Sequence, residues 1–161
     1  MKGWVLAALL LVATPAGAAP LGWVHYSNSA YGYELDVPPG FVGRPQTESP
    51  QGQTFAGDTA EIIVWGERLE ARDFEAAAKA ELDKALGDGW GLSFQLSTPQ
   101  SAGFEVRKGG LVLQRRMIAV CDGRAVASYV IGFGRAEVPA MTPLLETMAL
   151  GFRATGECDA I

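Results

Sequence analysis

His25 is the only imidazole among the 161 residues, and Ser27 and Ser29 follow it closely. A histidine beside a serine is the start of a nucleophilic constellation, in which the ring takes the hydroxyl proton and an acid orients the ring. The chain has no Gly-x-Ser-x-Gly elbow, and spacing assigns no acid to this ring. Its place near the N-terminus predicts a solvated, mobile side chain. Glu34 and Asp36 are two residues apart, so on a strand they share one face. Such a pair could serve acid–base chemistry or calcium, but the expectation is a pair of solvated strand-face charges. One His and two Cys are too few for a closed zinc site or a histidine-based electron-transfer centre. No metal, cofactor or catalytic residue is therefore expected.

Arg115 and Arg116 are the more pointed signal, because two cations interrupt an otherwise apolar segment. Counting back from the Asp122-Gly123 turn places Arg116 opposite Tyr129. Stacking across strands is the plain reading, and an anion-binding or partner-facing patch the sharper one. Trp65 and Trp90 are expected in the core, since tryptophan is mostly buried. Gly87-Asp88-Gly89-Trp90-Gly91 lacks the Gly-Lys-Ser/Thr ending of a phosphate loop and reads as a helix stop and turn. A third feature is the stretch 43–53, rich in Pro, Gln, Gly and Ser, which reads as a surface loop on a rigid sheet. Its Pro45, Gln46 and Pro50 are candidate contact residues, in a segment expected to be removable without loss of the fold.

Composition narrows the partners. Hydrophobic residues make up 48% and charged ones 19%, a globular balance that one domain of this length can bury. With 13 Lys and Arg against 18 Asp and Glu the formal charge is −5. Such a chain lacks the positive field that phosphate backbones require, so nucleic acid is not expected.

The N-terminus reads as an address. Lys2 is followed by an apolar run over residues 4–13, too short for the ~20 residues of a bilayer span. Thr14-Pro15 then breaks the helix, and Ala16-Gly17-Ala18 supplies the small-x-small box of a signal peptidase. Residues 1–18 are thus expected to be a signal peptide and 19–161 a single domain. Losing the one cation Lys2 takes the charge from −5 to −6. No cysteine follows the box, so no lipid anchor is expected there, and no later segment is long and apolar enough for a membrane span. The protein should be periplasmic or secreted, where Cys121 and Cys158, an even count with nothing left over, would form a disulfide.

The elements that must carry these residues follow from periodicity. Residues 19–30 read as an irregular lead-in, and 31–37 as the first strand, in which Tyr33, Leu35 and Val37 alternate with Glu34 and Asp36. Short strands at 54–56 and 60–66 flank Gly57-Asp58-Thr59. Asp73 caps a helix whose Phe74, Ala78, Leu82 and Leu86 form one stripe. A strand at 90–97 places Trp90, Leu92, Phe94 and Leu96 on one side. Strands at 104–108, 111–121 and 124–133 are joined by Gly109-Gly110 and Asp122-Gly123, both two-residue hairpin signals. The last strand is apolar or small on both faces, so both should be covered. A second helix over 139–150 follows, with Phe152 as an anchor. The expected fold is α+β: an antiparallel sheet of about six to seven strands with helices on both faces.

Tyr26-x-Asn28-x-x-Tyr31-Gly32-Tyr33-x-Leu35-x-Val37-Pro38-x-Gly40-Phe41 resembles the opening of PsbP-like exported bacterial proteins. Gly57-Asp58 to Trp65-Gly66, Cys121-Asp122-Gly123-Arg124 and the closing Gly151-Phe152 are also similar to that family's pattern. The resemblance implies a PsbP-like α/β/α sandwich, a fold shared with an extrinsic photosystem II subunit and a Ran-binding import factor. Both act by binding other proteins. It implies no reaction and no site residue. The resulting expectation is a noncatalytic binding module of the cell envelope, with another envelope protein as partner. A carrier of a small apolar or anionic ligand comes second, favoured if a large pocket contains Arg115 or Arg116. A hydrolase comes last.

Overall fold

The computed structural model describes residues 22–71 and 73–161. The expected signal peptide and its cleavage box lie outside the described residues. The chain has a mixed α+β fold with two antiparallel sheets and two helices. Strand β1 (Val24–Asn28) and β2 (Tyr33–Val37) form a hairpin, and β3 (Val42–Gly43), β4 (Gly52–Ala56) and β5 (Glu61–Arg68) follow. Helix α1 (Phe74–Gly87) leads into β6 (Gly91–Ser97), β7 (Ser101–Lys108), β8 (Leu111–Val120) and β9 (Ala125–Gly134). Helix α2 (Val138–Gly151) and the two-residue β10 (Arg153–Ala154) complete the order.

Seven strands form one sheet in the order β3-β4-β5-β9-β8-β7-β6, and β1, β2 and β10 form a second in the order β1-β2-β10. The periodic reading anticipated the large sheet but neither the second sheet nor β1, which lies inside the expected lead-in. Asn28 explains the difference. Its Oδ1 accepts the Tyr31 backbone N–H at 3.0 Å, and Gly32 takes φ +63°, so residues 29–32 turn the chain into a hairpin. The first expected strand accordingly begins at Tyr33 rather than Tyr31. The β8–β9 connection also differs. Val120 pairs with Ala125, leaving a four-residue turn in which Cys121, Asp122 and Gly123 all have positive φ. The total of the paired residue numbers is unchanged, so Arg116 does face Tyr129.

Alternate positions of β9 feed different cores. Ala125, Ala127, Tyr129, Ile131 and Phe133 pack with Met141, Leu145 and Met148 of α2 and with Tyr33, Leu35 and Val37 of β2. Val126, one step out of phase, packs with Met117, Ala102 and the α1 residues Phe74 and Ala78. Leu82 of α1 joins Phe104 and Val106. This is the period-two pleat meeting the 3.6-residue helix stripe. The stripe stops short of expectation, since Leu86 at the helix end is exposed. Burial on this second side of the sheet is also incomplete: Gly132 is exposed, and Ile63 keeps 40% of its surface.

Candidate functional site

A cleft of about 410 Å³ opens between α2 and the outer strands β6, β7 and β8. Its floor is Gly103, which pairs with Arg116 across β7 and β8. The missing side chain matters here. A Cβ on Gly103 would lie 3.3 Å from Arg116 Cδ and 3.8 Å from Nη1, so the arginine stem lies across the space that glycine leaves. α2 supplies a wall through Val138, Leu145 and Ala149, and Phe133 closes one end.

Phe94 reaches the cleft because β6 is irregular. Leu92 pairs with Val106 but Phe94 pairs with Glu105, which leaves Ser93 as an extra residue in a β-bulge. Strict alternation puts Leu92 and Phe94 on one side of the strand; the bulge puts them on opposite sides. Phe94, 52% exposed, then faces the same side as Glu105 and Gly103. Ser93 Oγ donates to the Glu105 carbonyl at 3.1 Å and to its carboxylate at 2.8 Å, holding the bulge in place.

The two adjacent arginines separate. Arg115 points to the α1 side, where its guanidinium lies 4.8 Å from the Trp65 ring centroid and donates to Glu81. Its side chain is only 11% exposed, and burial pulls its pKa below the usual arginine value although Glu81 pulls the other way. The cross-strand stack expected of Arg116 is thus made by Arg115. Arg116 has no ion pair among the described residues. The nearby Glu105 does not neutralise it, because Arg107 engages that carboxylate at 2.8 Å. Glu146, on α2, is exposed at the cleft edge. Opposite Arg116, the Tyr129 hydroxyl is buried without a hydrogen-bond partner among the described residues, and burial raises its pKa.

The remaining candidates lie elsewhere. His25 sits on β1, not on a mobile terminus. Its Nδ1 is 3.0 Å from Asp36 Oδ1 and its Nε2 is 3.4 Å from Glu34 Oε2. Arg153 of β10 completes the row, donating from Nε to Glu34 at 2.8 Å. Asp36 is 5% exposed and lodges against Gly151, where a Cβ would come within 2.5 Å of its carboxylate. Asp36 is therefore a buried hydrogen-bond partner of the ring and Glu34 an ion-pair partner of Arg153 rather than solvated charges, and both ring nitrogens lie beside carboxylates. Trp65 and Trp90 are half-buried, Trp90 against the Leu82 cluster.

Pro45–Thr47 form a single 3-10 turn. The segment after it is tied to the fold: the Pro50 carbonyl accepts from Asn28 Nδ2 at 3.1 Å, and the Gln51 carbonyl from the Tyr33 hydroxyl at 2.8 Å. Gln51 also accepts the Gly66 N–H at 2.8 Å. Excising 45–50 would remove the Pro50 carbonyl that Asn28 Nδ2 donates to and the Thr47 hydroxyl that accepts the Thr54 N–H at 3.1 Å, so the loop is not removable at no cost to the fold. Cys121 and Cys158 form a disulfide with Cα atoms 5.8 Å apart.

Phe94 and Gly103 are the site residues that pattern reading missed. Gly103 was within reach: counting back from Gly109-Gly110 places it opposite Arg116. The bulge left no periodic signal.

No family model matches the sequence, and no curated protein matches it. In structure the chain is similar to cyanobacterial PsbP (CyanoP) from Synechocystis sp. PCC 6803, with a TM-score of 0.61 and 13% identity over 90% of this chain and 98% of that one. It is also similar to the Saccharomyces cerevisiae Ran-binding protein Mog1p, with a TM-score of 0.60 and 13% identity over 83% of this chain and 95% of that one. A point mutant of Mog1 gives the same TM-score at 14% identity. At these identities the likeness is one of fold, and the chain has the fold common to PsbP and Mog1.

Proposed function

We propose that this protein is a noncatalytic accessory module of the cell envelope that acts by binding, with the α2–β6–β8 cleft as its contact site. The observation that carries this reading is Arg116, an unpaired cation on a glycine floor between apolar walls. A group poised in this way recognises an anion; of the carboxylates that line the cleft with it, Glu105 is engaged by Arg107 and Glu146 is exposed, which favours binding over turnover. A protein partner is supported by the yeast neighbour, itself a Ran-binding protein. Residues 1–18 act as a cleaved signal peptide without a lipid anchor, and the mature chain works in the periplasm or outside the cell. The Cys121–Cys158 disulfide supports that compartment. The sheet is read as a sandwich covered by α2 and the small sheet on one face and by α1 on the other, supported by the two phases of β9 packing.

The test is a photo-crosslinking residue in place of Phe94, carried in cells that make the full chain. Intact mass of envelope-fraction protein should begin at Ala19, and Phe94 should cross-link an envelope protein in an Arg116-dependent manner. A retained Met1 would end the export reading; a cross-link indifferent to Arg116→Met would end the assignment of the cleft. A carrier of a small ligand is the second reading, favoured by the size of the cleft and by the presence of Arg116 in it.

A further inference from the structure

The cleft's chemistry narrows what a small occupant can be. This step rests on the cleft being the binding site. Its volume of about 410 Å³ lies in the range of small-molecule sites, roughly 300–1,000 Å³. Its walls are mostly apolar, through Phe94, Phe133, Val138 and Leu145, and among the described residues the charges of its lining without an ion pair are the Arg116 guanidinium and the Glu146 carboxylate. Glu105 is engaged by Arg107 and Ser93. Glu146, exposed on α2 and part of the same lining, repels a second negative charge on an occupant.

One free cation beside a glycine floor, apolar walls around it and one exposed acid on α2 together describe a particular ligand. We propose that the cleft holds an amphipathic monocarboxylate of medium chain length, its carboxylate on Arg116 and its hydrocarbon body against Phe94, Phe133, Val138 and Leu145. Arginine suits this role because its planar fork matches a carboxylate with two parallel hydrogen bonds. A phosphate dianion or a dicarboxylate is disfavoured, since its additional charge meets no second cation and is repelled by Glu146. A neutral alcohol gains the apolar contact but leaves Arg116 without an anion.

Calorimetric titration of the disulfide-bonded protein with octanoate, octanol, octylamine and octanedioate tests this, with nuclear magnetic resonance shifts locating the site. Octanoate should bind best and shift the amides of Phe94, Gly103 and Arg116. Arg116→Met, which keeps the apolar stem, should weaken octanoate about tenfold or more and leave octanol unchanged. Glu146→Gln, a change at an exposed position, should bring octanedioate closer to octanoate. Octanoate binding that ignores Arg116→Met, or octylamine binding as tightly as octanoate, overturns the proposal. So does binding of a peptide through its C-terminal carboxylate where octanoate fails. If octanoate fails while the Phe94 cross-link to an envelope protein still depends on Arg116, the cleft remains the binding site and only the ligand class is wrong.

Discussion

Arg115 and Arg116 are consecutive, and the pleat of β8 sends them to opposite sides of the sheet, where they meet different demands. Arg115 is held by Glu81 and Trp65 and is nearly buried; Glu81 reaches further into solvent, its side chain 30% exposed. Removing the two partners should therefore have unequal effects. Glu81→Ala leaves a buried guanidinium with its Nε already unpaired and should cost about 2 kcal/mol in urea unfolding. Arg115→Met should cost less, because its apolar chain fills the space over Trp65 and Glu81 can rehydrate. Equal costs would show that the pair contributes through charge alone. Glu137 gives a pH-dependent case. The Thr59 hydroxyl and, after it, the Gly134 N–H, which donates to Oε2 at 2.9 Å, hold its carboxyl below the ordinary 4.5. The unfolded chain then binds the proton more readily than the folded one. The stabilisation is complete above 4.5 and is lost as pH falls through the lower folded value. Glu137→Gln should flatten this acid limb in melting temperatures followed from neutral pH downward.

At the scale of elements, β6 is one of the two edges of the large sheet, and most of its residues are exposed. Long flat edges invite pairing with another chain, and a bulge is one way of blunting them. Deletion of Ser93 would restore regular pairing without moving Phe94, since Phe94 already pairs with Glu105 and Leu92 with Val106. The expected result is a small loss, about 1 kcal/mol or 2–4 °C, together with concentration-dependent association in light scattering. A variant that stays monomeric would deny the bulge this protective role. The same bulge shows where sequence patterning runs out. The β7–β8 and β8–β9 hairpins were legible because Gly109-Gly110 and Asp122-Gly123 specify turns, and through them the Arg116–Tyr129 register. Helix α1 was legible from Asp73, whose side chain accepts the Ala76 N–H at 2.9 Å. The bulge depends on how an edge strand settles against β7, which no local period encodes. β1 was missed for a different reason: three of its five residues are exposed, so it shows no apolar alternation, and its pairing with β2 depends on the turn that Asn28 and Gly32 set. His25 followed β1, and its role as a link between two carboxylates became visible only with that strand in place.

For the molecule as a whole, the C-terminus is a strap across the opening hairpin. Asp159 and Ala160 donate backbone hydrogen bonds to Ser29 and Ala30 at 3.1 and 3.0 Å, and the guanidinium of Arg68 donates to the Ala160 carbonyl. The Cys121–Cys158 bond closes a sequence separation of 37 residues and pins this strap to the end of β8. Chain-entropy arithmetic for such a loop gives about 4 kcal/mol. At roughly 2–4 °C per kcal/mol for a domain of this size, reduction should lower the melting temperature by about 8–16 °C. Gly32 supplies a test independent of redox chemistry. Its φ is +63°, and a Cβ there would lie 1.9 Å from the Glu157 carbonyl oxygen, so Gly32→Ala must lift the strap or distort the hairpin. If the strap acts as one unit with the disulfide, the two perturbations are coupled. Gly32→Ala should then cost less in a Cys121→Ser/Cys158→Ser background, where the tail is free to move aside, than in the disulfide-bonded protein. Chemical unfolding of the four proteins decides it. Additive losses would mean that the tail is held by its hydrogen bonds alone and that the disulfide stabilises only by restricting the unfolded chain.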